Sequence, residues 1–309
     1  MSDYDVIIIG GGSAGLSAAL VLSRARRNVL VVDSGEPRNA PAAHMQGFLS
    51  RDGMPPGEFL AAGRNEVKGY GGEILNAMVS EIVQCGKSAF SVLLAHGQRI
   101  TARRLLIATG LTDELPDIPG LRERWARDVL HCPYCHGYEV RDQALGVLGG
   151  SQDTVRYAQI IRQWSEDVVL FTPADTLSVD QRSQLVARSI GIVEGKVERV
   201  LVENGQLSGI QMDDGRVVPR KALFVPPSFA PNNELSVRLG CEIDENGWPV
   251  TDVHGQTTIP GVWVAGNVAN PRAQVITAAG EGSASAIAIN ADLVDEDIRN
   301  AVRTFNLGL

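Results

Sequence analysis

Two cysteines stand three positions apart in Cys132-Pro133-Tyr134-Cys135, and a histidine, His136, follows at once. Thiols at this spacing can close a small disulfide ring, and the thiolate is the reactive form of each. Reversible exchange with an incoming thiol or disulfide needs only these two sulfurs and an electron partner. A zinc site needs a second pair of ligands, and Cys85 and Cys241 are lone cysteines without that spacing. A purely structural cross-link is rare in a reducing compartment. Redox exchange is the favoured reading, with no metal. An imidazole titrates near neutrality, so His136 suits stabilising a thiolate or carrying its proton. His131, on the other side of the pair, suits function and packing equally. His96 and His254 fall in turns, and Cys85 and Cys241 read as buried small hydrophobes or inert thiols.

A second constellation is Gly10-x-Gly12-Ser13-x-Gly15, which follows an apolar β-branched run and opens a helical one. Glycines so placed allow a tight turn, let backbone approach a pyrophosphate, and pack helix against strand. The helix N-terminus adds N–H donors and a positive dipole end. Asp33 closes the next strand, where a carboxylate can accept from ribose hydroxyls.

These residues need elements to hold them. Asp5–Ile9, Ala14–Ser23 and Val29–Val32 read as strand, helix and strand around the glycine turn. Ile74–Val83, Ala89–Leu94 and Arg99–Thr109 read as a small antiparallel meander ending in a buried strand. A second strand–turn–helix–strand unit begins at Ala144–Leu148, turns at Gly149-Gly150-Ser151, and continues through Thr154–Trp164 and Val168–Phe171. Val197–Val202 and Leu207–Met212 form a hairpin around Asn204-Gly205, and Ala222–Val225 closes the unit. A proline-rich stretch from Val225 to Asn232 leads back to the first domain, and a small-residue helix runs from about Ala273 to Asp295. The expected fold is α/β, with two Rossmann-like βαβ domains, the second inserted in the first. Residues 1–113 and 231–309 form the first domain, and residues 114–230 form the domain carrying the cysteine pair.

The chain has 309 residues and 36 acidic against 28 basic side chains, a net charge of −8, which argues against nucleic acid or an anionic membrane as partner. The uncharged run Val6–Leu22 is short for a membrane span, is broken by Gly10–Gly12, and lacks the flanks of a signal peptide. A cytoplasmic protein is expected.

Gly10–Gly15, Ala108-Thr109-Gly110, Cys132–Cys135 and Gly261–Asn267 stand in the order and spacing of low-molecular-weight thioredoxin reductases, which the whole chain resembles. The resemblance implies FAD as cofactor and a homodimer. By position, Gly10, Gly12, Ser13 and Gly15 hold the pyrophosphate and Asp33 the adenosine ribose. Thr109 and Gly110 line the site, Asn267 faces the ribityl chain, and Gln274 and Val275 approach the isoalloxazine through their backbone. Cys135 is the flavin-proximal thiol and Cys132 the exchanging one.

Four departures stand out. His136 replaces an aspartate, and Gly149-x-Ser151-x-x-Thr154 replaces G-x-G-x-x-A. Asn267 replaces the aspartate of a Gly-Asp motif. Thr172-Pro173-Ala174 stands where a cationic cluster holds the NADPH 2′-phosphate. Together they resemble the dithiol-oxidase branch, which includes the gliotoxin and holomycin oxidases and is marked by Cys-x-x-Cys-His-Gly, here Cys132–Gly137. Glu36-Pro37-Arg38-Asn39 and His44…Gln46-Gly47 look like that branch's region near the flavin, which adds Arg38 and Gln46 to the candidate cofactor residues.

The leading expectation is an FAD-dependent oxidase that forms a disulfide in a small-molecule dithiol, with O2 as acceptor and NADP(H) or NAD(H) doubtful. The alternatives are an NAD(P)H-dependent reductase acting on a thioredoxin-like protein, and a redox sensor using flavin as a structural ligand.

Overall fold

A computed structural model describes residues 2–86, 89–150 and 153–307. The chain divides into two compact units: Met1–Ala40, Phe48–Thr112 and Phe229–Leu309 form the first, and Pro41–Gly47 and Asp113–Ser228 the second.

The first unit opens with β1 (Tyr4–Ile9), α1 (Ser13–Arg24) and β2 (Val29–Asp33), followed by α2 (Pro56–Gly69) and β3 (Glu73–Asn76). It continues through β4 (Val79–Gln84), β5 (Phe90–Leu94) and β6 (Arg99–Ile107), with β7 (Leu111–Glu114) leading out. The expected strand Ile74–Val83 is two strands. β3 runs parallel to β2, whereas β4 pairs antiparallel with β5. The break at Ala77-Met78 carries no glycine or proline, so nothing local announced the change of partner.

The second unit contains β8 (Val129–Leu130), the one-turn helix α3 (Pro133–His136), β9 (Leu145–Leu148), α4 (Thr154–Ile161), β10 (Val168–Thr172), α5 (Val179–Ala187) and β11 (Gly191–Glu194). Then come β12 (Val197–Glu203), β13 (Gln206–Met212), β14 (Val217–Pro219) and β15 (Ala222–Phe224). Its parallel sheet has the order β11-β10-β9-β15-β8. One face buries Leu145, Val147, Leu170 and Phe224 against α4 and α5, and the other buries Leu148, Phe171 and Leu223 against the antiparallel sheet β12-β13-β14. The β12–β13 turn is the expected Asn204-Gly205, both residues at positive φ (51° and 74°), as the twist of a two-residue hairpin demands.

The chain returns to the first unit through β16 (Ser228–Pro231), α6 (Glu234–Arg238), β17 (Val262–Val264) and α7 (Val275–Leu307). The completed sheet reads β3-β2-β1-β6-β5-β4, with β17 also paired to β6. Its central strands β1 and β2 are buried on both faces. Val6, Ile8, Val29 and Val31 face α1, α2 and α7, and Ile7, Ile9, Leu30 and Val32 face the other way. α1 and α7 pack closely enough that a Cβ on Gly282 would lie 2.0 Å from the Ala14 carbonyl oxygen. An acidic row on α7 fastens it to the sheet. Arg104, 4% exposed, pairs with Asp292 and, at 2.6 Å, with Glu296. Arg103 reaches Asp5 at 2.8 Å and Asp297 at 2.5 Å. Among the described residues no helix is long and apolar enough to cross a membrane.

Candidate active site

In the second unit, β8 delivers His131 and Cys132 to the start of α3. Cys132 is extended (φ −91°, ψ 111°), and Pro133 takes the first helical position, where its missing N–H costs nothing. The Cys132 carbonyl accepts from the N–H groups of Cys135 and His136, each at 3.1 Å, and Gly137 donates to Pro133 at 2.7 Å. The two cysteines are joined as a disulfide with Cα atoms 5.2 Å apart, and both are half-buried.

His136, also half-buried, completes the turn. Burial pushes its pKa below the ordinary imidazole value, and the charge of Glu139 only partly opposes this. At neutral pH it is a neutral imidazole, able to accept a proton. The glycine after it is required by packing: a Cβ on Gly137 would meet the Trp164 ring at 2.8 Å and the Pro133 carbonyl oxygen at 2.5 Å. Tyr134, between the cysteines, is exposed and stands edge-on to Trp164 with ring centroids 5.5 Å apart. The Tyr157 hydroxyl donates to the main-chain carbonyl of His131. Cys85 is exposed, Cys241 is buried, and His96 and His254 are exposed. Among the described residues no three His, Cys, Asp or Glu side chains gather as a metal site.

In the first unit, the glycine turn, Asp33, Thr109, Gly110 and Asn267 lie at the carboxyl ends of the parallel strands. Ile9 of β1 lies beside Val32 of β2 and Ile107 of β6, and Ile107 lies beside Val264 of β17. The segments leaving these strands carry Gly10–Gly15, Asp33, Thr109-Gly110 and Gly266-Asn267, the crevice where such sheets bind ligands. Gly10 has φ +104°, and a Cβ there would sit 2.3 Å from the Ala108 carbonyl oxygen. A Cβ on Gly15 would lie 1.9 Å from the Gly10 oxygen, whereas one on Gly12 would meet nothing within 4 Å. Open space at Gly12, and no side chain capping α1, leave the first N–H groups of the helix available to a phosphate. Asp33 accepts from the Gly11 N–H at 3.0 Å. Ser13, half-buried, begins α1, and Gln274 directly precedes Val275, the first residue of α7.

Asn267 directs its amide nitrogen at the carbonyls of Asn270 (2.9 Å) and Ala273 (3.0 Å), and its oxygen accepts from Arg38 at 3.4 Å. The Arg38 guanidinium also lies 5.4 Å from the Phe229 ring centroid. Gln46, in the segment Pro41–Gly47, belongs to the second unit and is half-buried.

Two supporting residues escaped the sequence reading. Asn232 ties down Thr109 and Gly110: its amide donates to the Thr109 carbonyl (2.9 Å), its N–H to that of Gly110 (3.0 Å), and its carbonyl accepts from the Thr109 hydroxyl (2.6 Å). Glu281 braces the loop before α7, accepting from the Gly266 N–H at 3.0 Å and the Asn270 amide at 2.7 Å. Its signal was available, as the single charge between Arg272 and Asp292.

Residues 4–282 match the pyridine nucleotide-disulphide oxidoreductases. The chain belongs to that family. The oxidoreductase is 32% identical over 275 residues to thioredoxin reductase tcpT of Claviceps purpurea, covering 85% of this chain and 86% of the relative. Its structure is similar to the crystal structure of HlmI, with a TM-score of 0.95, 53% identity and coverage of 97% and 96%. It is also similar to a putative thioredoxin reductase of Bacillus anthracis, with a TM-score of 0.90, 33% identity and coverage of 95% and 99%. The oxidoreductase is thus a thioredoxin reductase-like enzyme acting on disulfides, with FAD as its cofactor, and the open glycine cradle of the first unit suits the pyrophosphate of that group.

Proposed function

We propose that the oxidoreductase is a dithiol oxidase that closes a disulfide in a small-molecule substrate through Cys132–Cys135. One substrate thiolate attacks the Cys132 sulfur, forming a mixed disulfide and expelling Cys135 as thiolate. The second substrate thiol attacks the substrate sulfur of that bond, releasing a cyclic disulfide and leaving Cys132 reduced. His136 takes up a proton as the attacking thiol ionises. FAD supplies the two-electron acceptor that returns the pair to the disulfide, with molecular oxygen as the final oxidant. Gly10, Gly12, Ser13, Gly15 and Asp33 would hold its adenosine diphosphate half. Thr109, Gly110, Asn267, Gln274, Val275 and Arg38 would line the site of the rest.

The observation carrying this reading is the end of β10. A 2′-phosphate needs a cation at the end of the second strand of its βαβ unit. Here Thr172 is followed by Pro173, Ala174 and Asp175, and the Thr172 hydroxyl is paired with that of Thr176 at 2.8 Å. Arg182 of α5 is 2.6 Å from Glu194 at the end of the neighbouring strand, and Arg216 is 2.5 Å from Asp214. Ser151 of the turn lies outside the described residues, and Thr154 is buried at the start of α4. Losing a charge-assisted contact costs about 1.5–3 kcal/mol, roughly tenfold to a hundredfold in affinity.

Mixing the oxidised enzyme anaerobically with NADPH, NADH or a small dithiol, and following the flavin absorbance, tests the proposal. Fast bleaching by a dithiol and slow bleaching by either nucleotide are expected, with hydrogen peroxide formed when air is admitted. Millisecond bleaching at micromolar NADPH favours the second reading, a reductase of a thioredoxin-like partner. That reading has the likeness to the Bacillus anthracis protein on its side.

A further inference from the structure

The disulfide joins residues of a single helical turn, α3, which is far too short to persist by itself. In the oxidised state the covalent bond closes the loop. When it opens, other contacts must keep the two sulfurs within reach of each other, and α4 with the residues that follow it supplies contacts of this kind. Tyr157, on α4, donates its hydroxyl to the His131 carbonyl, which belongs to the peptide bond carrying Cys132. Trp164, just beyond the end of α4, lies against Gly137 and Tyr134 on the far side of the pair. The Trp164 carbonyl also accepts from the Asp142 N–H at 2.8 Å, which fixes the chain leaving the loop. The segment is held at its entry by α4 and at its exit by Trp164, three residues past the end of that helix.

We propose that Tyr157 is a positioning residue for the redox pair, holding the His131–Cys132 peptide in place while the disulfide is open. The proposal rests on the reading that Cys132–Cys135 cycles between disulfide and dithiol. The Tyr157 ring packs against the core that α4 shares with the sheet, so the hydroxyl approaches the loop from a packed base. Burial pushes the phenol's pKa far above its ordinary value, so the group remains a donor throughout the working pH range. A tether of this kind acts mainly on the reduced form, because the oxidised loop is already closed by its own bond. It raises the effective concentration of one thiol at the other and favours ring closure.

The test equilibrates the FAD-loaded enzyme anaerobically in buffers of glutathione and glutathione disulfide. Two glutathione thiols reduce the Cys132–Cys135 bond to two thiols and become one glutathione disulfide. The disulfide fraction is read by alkylation and mass spectrometry, and flavin reduction is read separately from absorbance. Tyr157→Phe, which removes only the hydroxyl, is expected to lower the ring-closure constant about three- to tenfold, with FAD content and melting temperature unchanged. Tenfold corresponds to about 30 mV for a two-electron couple. A constant equal to that of the unmodified enzyme overturns the proposal. Should Tyr157→Phe fail to retain FAD, amide exchange of the unmodified enzyme decides. Residues 132–137 are expected to stay protected after reduction, and full loss of their protection on reduction overturns the tether. Neither measurement uses the physiological substrate or oxygen. Absence of dithiol turnover in the unmodified enzyme therefore counts against the oxidase reading without touching this one.

Discussion

His136 shows how burial selects a role for a side chain. Its lowered pKa keeps the imidazole neutral at pH 7, which suits a proton acceptor better than a standing cation. His136→Ala is expected to slow dithiol turnover by about 10²–10⁴-fold, with FAD content unchanged. The acid limb of the unmodified enzyme's rate profile should fall below the ordinary imidazole value. Equal rates from pH 5 to 8 in the variant contradict the assignment. The same shift carries a stability consequence. Below the ordinary value the unfolded chain binds a proton that the folded chain resists, so this contribution is present above that pH and is lost as pH falls. Its neighbour Gly137 gives a cleaner structural test. Gly137→Ala forces a methyl against the Trp164 ring and the Pro133 oxygen, and is expected to destabilise by about 1–3 kcal/mol, read as a lowered denaturation midpoint. At this scale the sequence announced the cysteines, the histidine and the phosphate-turn glycines, because each carries chemistry or a backbone conformation in its own type. It did not announce Tyr157 or Asn232. Their partners, the carbonyls of His131 and Thr109, are distant in the chain and met only through the fold.

Elements were legible where pattern and burial agree. β1, α1 and β2 fell where the apolar runs and the glycine turn placed them, and the Asn204-Gly205 hairpin formed as its turn chemistry requires. Pattern failed where an element changes partner, as between β3 and β4. It also failed where a helix outlasts its buried face. α7 runs on to Leu307, well past Asp295, because no glycine or proline occurs in it after Asp295 and its acidic residues Glu296 and Asp297 find arginines on the sheet. That ionic clasp is a prediction in its own right. Arg104→Ala removes the cation from beneath two carboxylates while its own site stays buried. Because Asp292 keeps some access to water, a loss near the lower end of the range for broken buried pairs is expected, about 3 kcal/mol. Urea denaturation at pH 7 measures it, and a loss under 1 kcal/mol would show the clasp to be ornamental.

For the whole molecule, the outer part of α7 predicts assembly. Ile298, Val302 and Phe305 recur at helical spacing and are 55%, 53% and 68% exposed, on a face that a lone chain leaves to water. Light scattering at working concentration should give twice the chain mass, and Val302→Glu with Phe305→Glu should return it to one chain. A monomer before any substitution contradicts this.

The placement of β17 beside β6 also bears on how the protein is made. The first unit's sheet lacks a strand, and α1 lacks its main packing partner, until the last part of the chain has left the ribosome. Most of the second unit is continuous in sequence and can assemble while that wait lasts. The nascent chain must therefore carry an incomplete, largely apolar first sheet while the second unit is made. Contacts between such distant segments form slowly and leave unfinished surfaces open to aggregation. Production in cells should accordingly respond more sharply to translation speed, growth temperature and chaperone supply than the stability of the finished enzyme suggests.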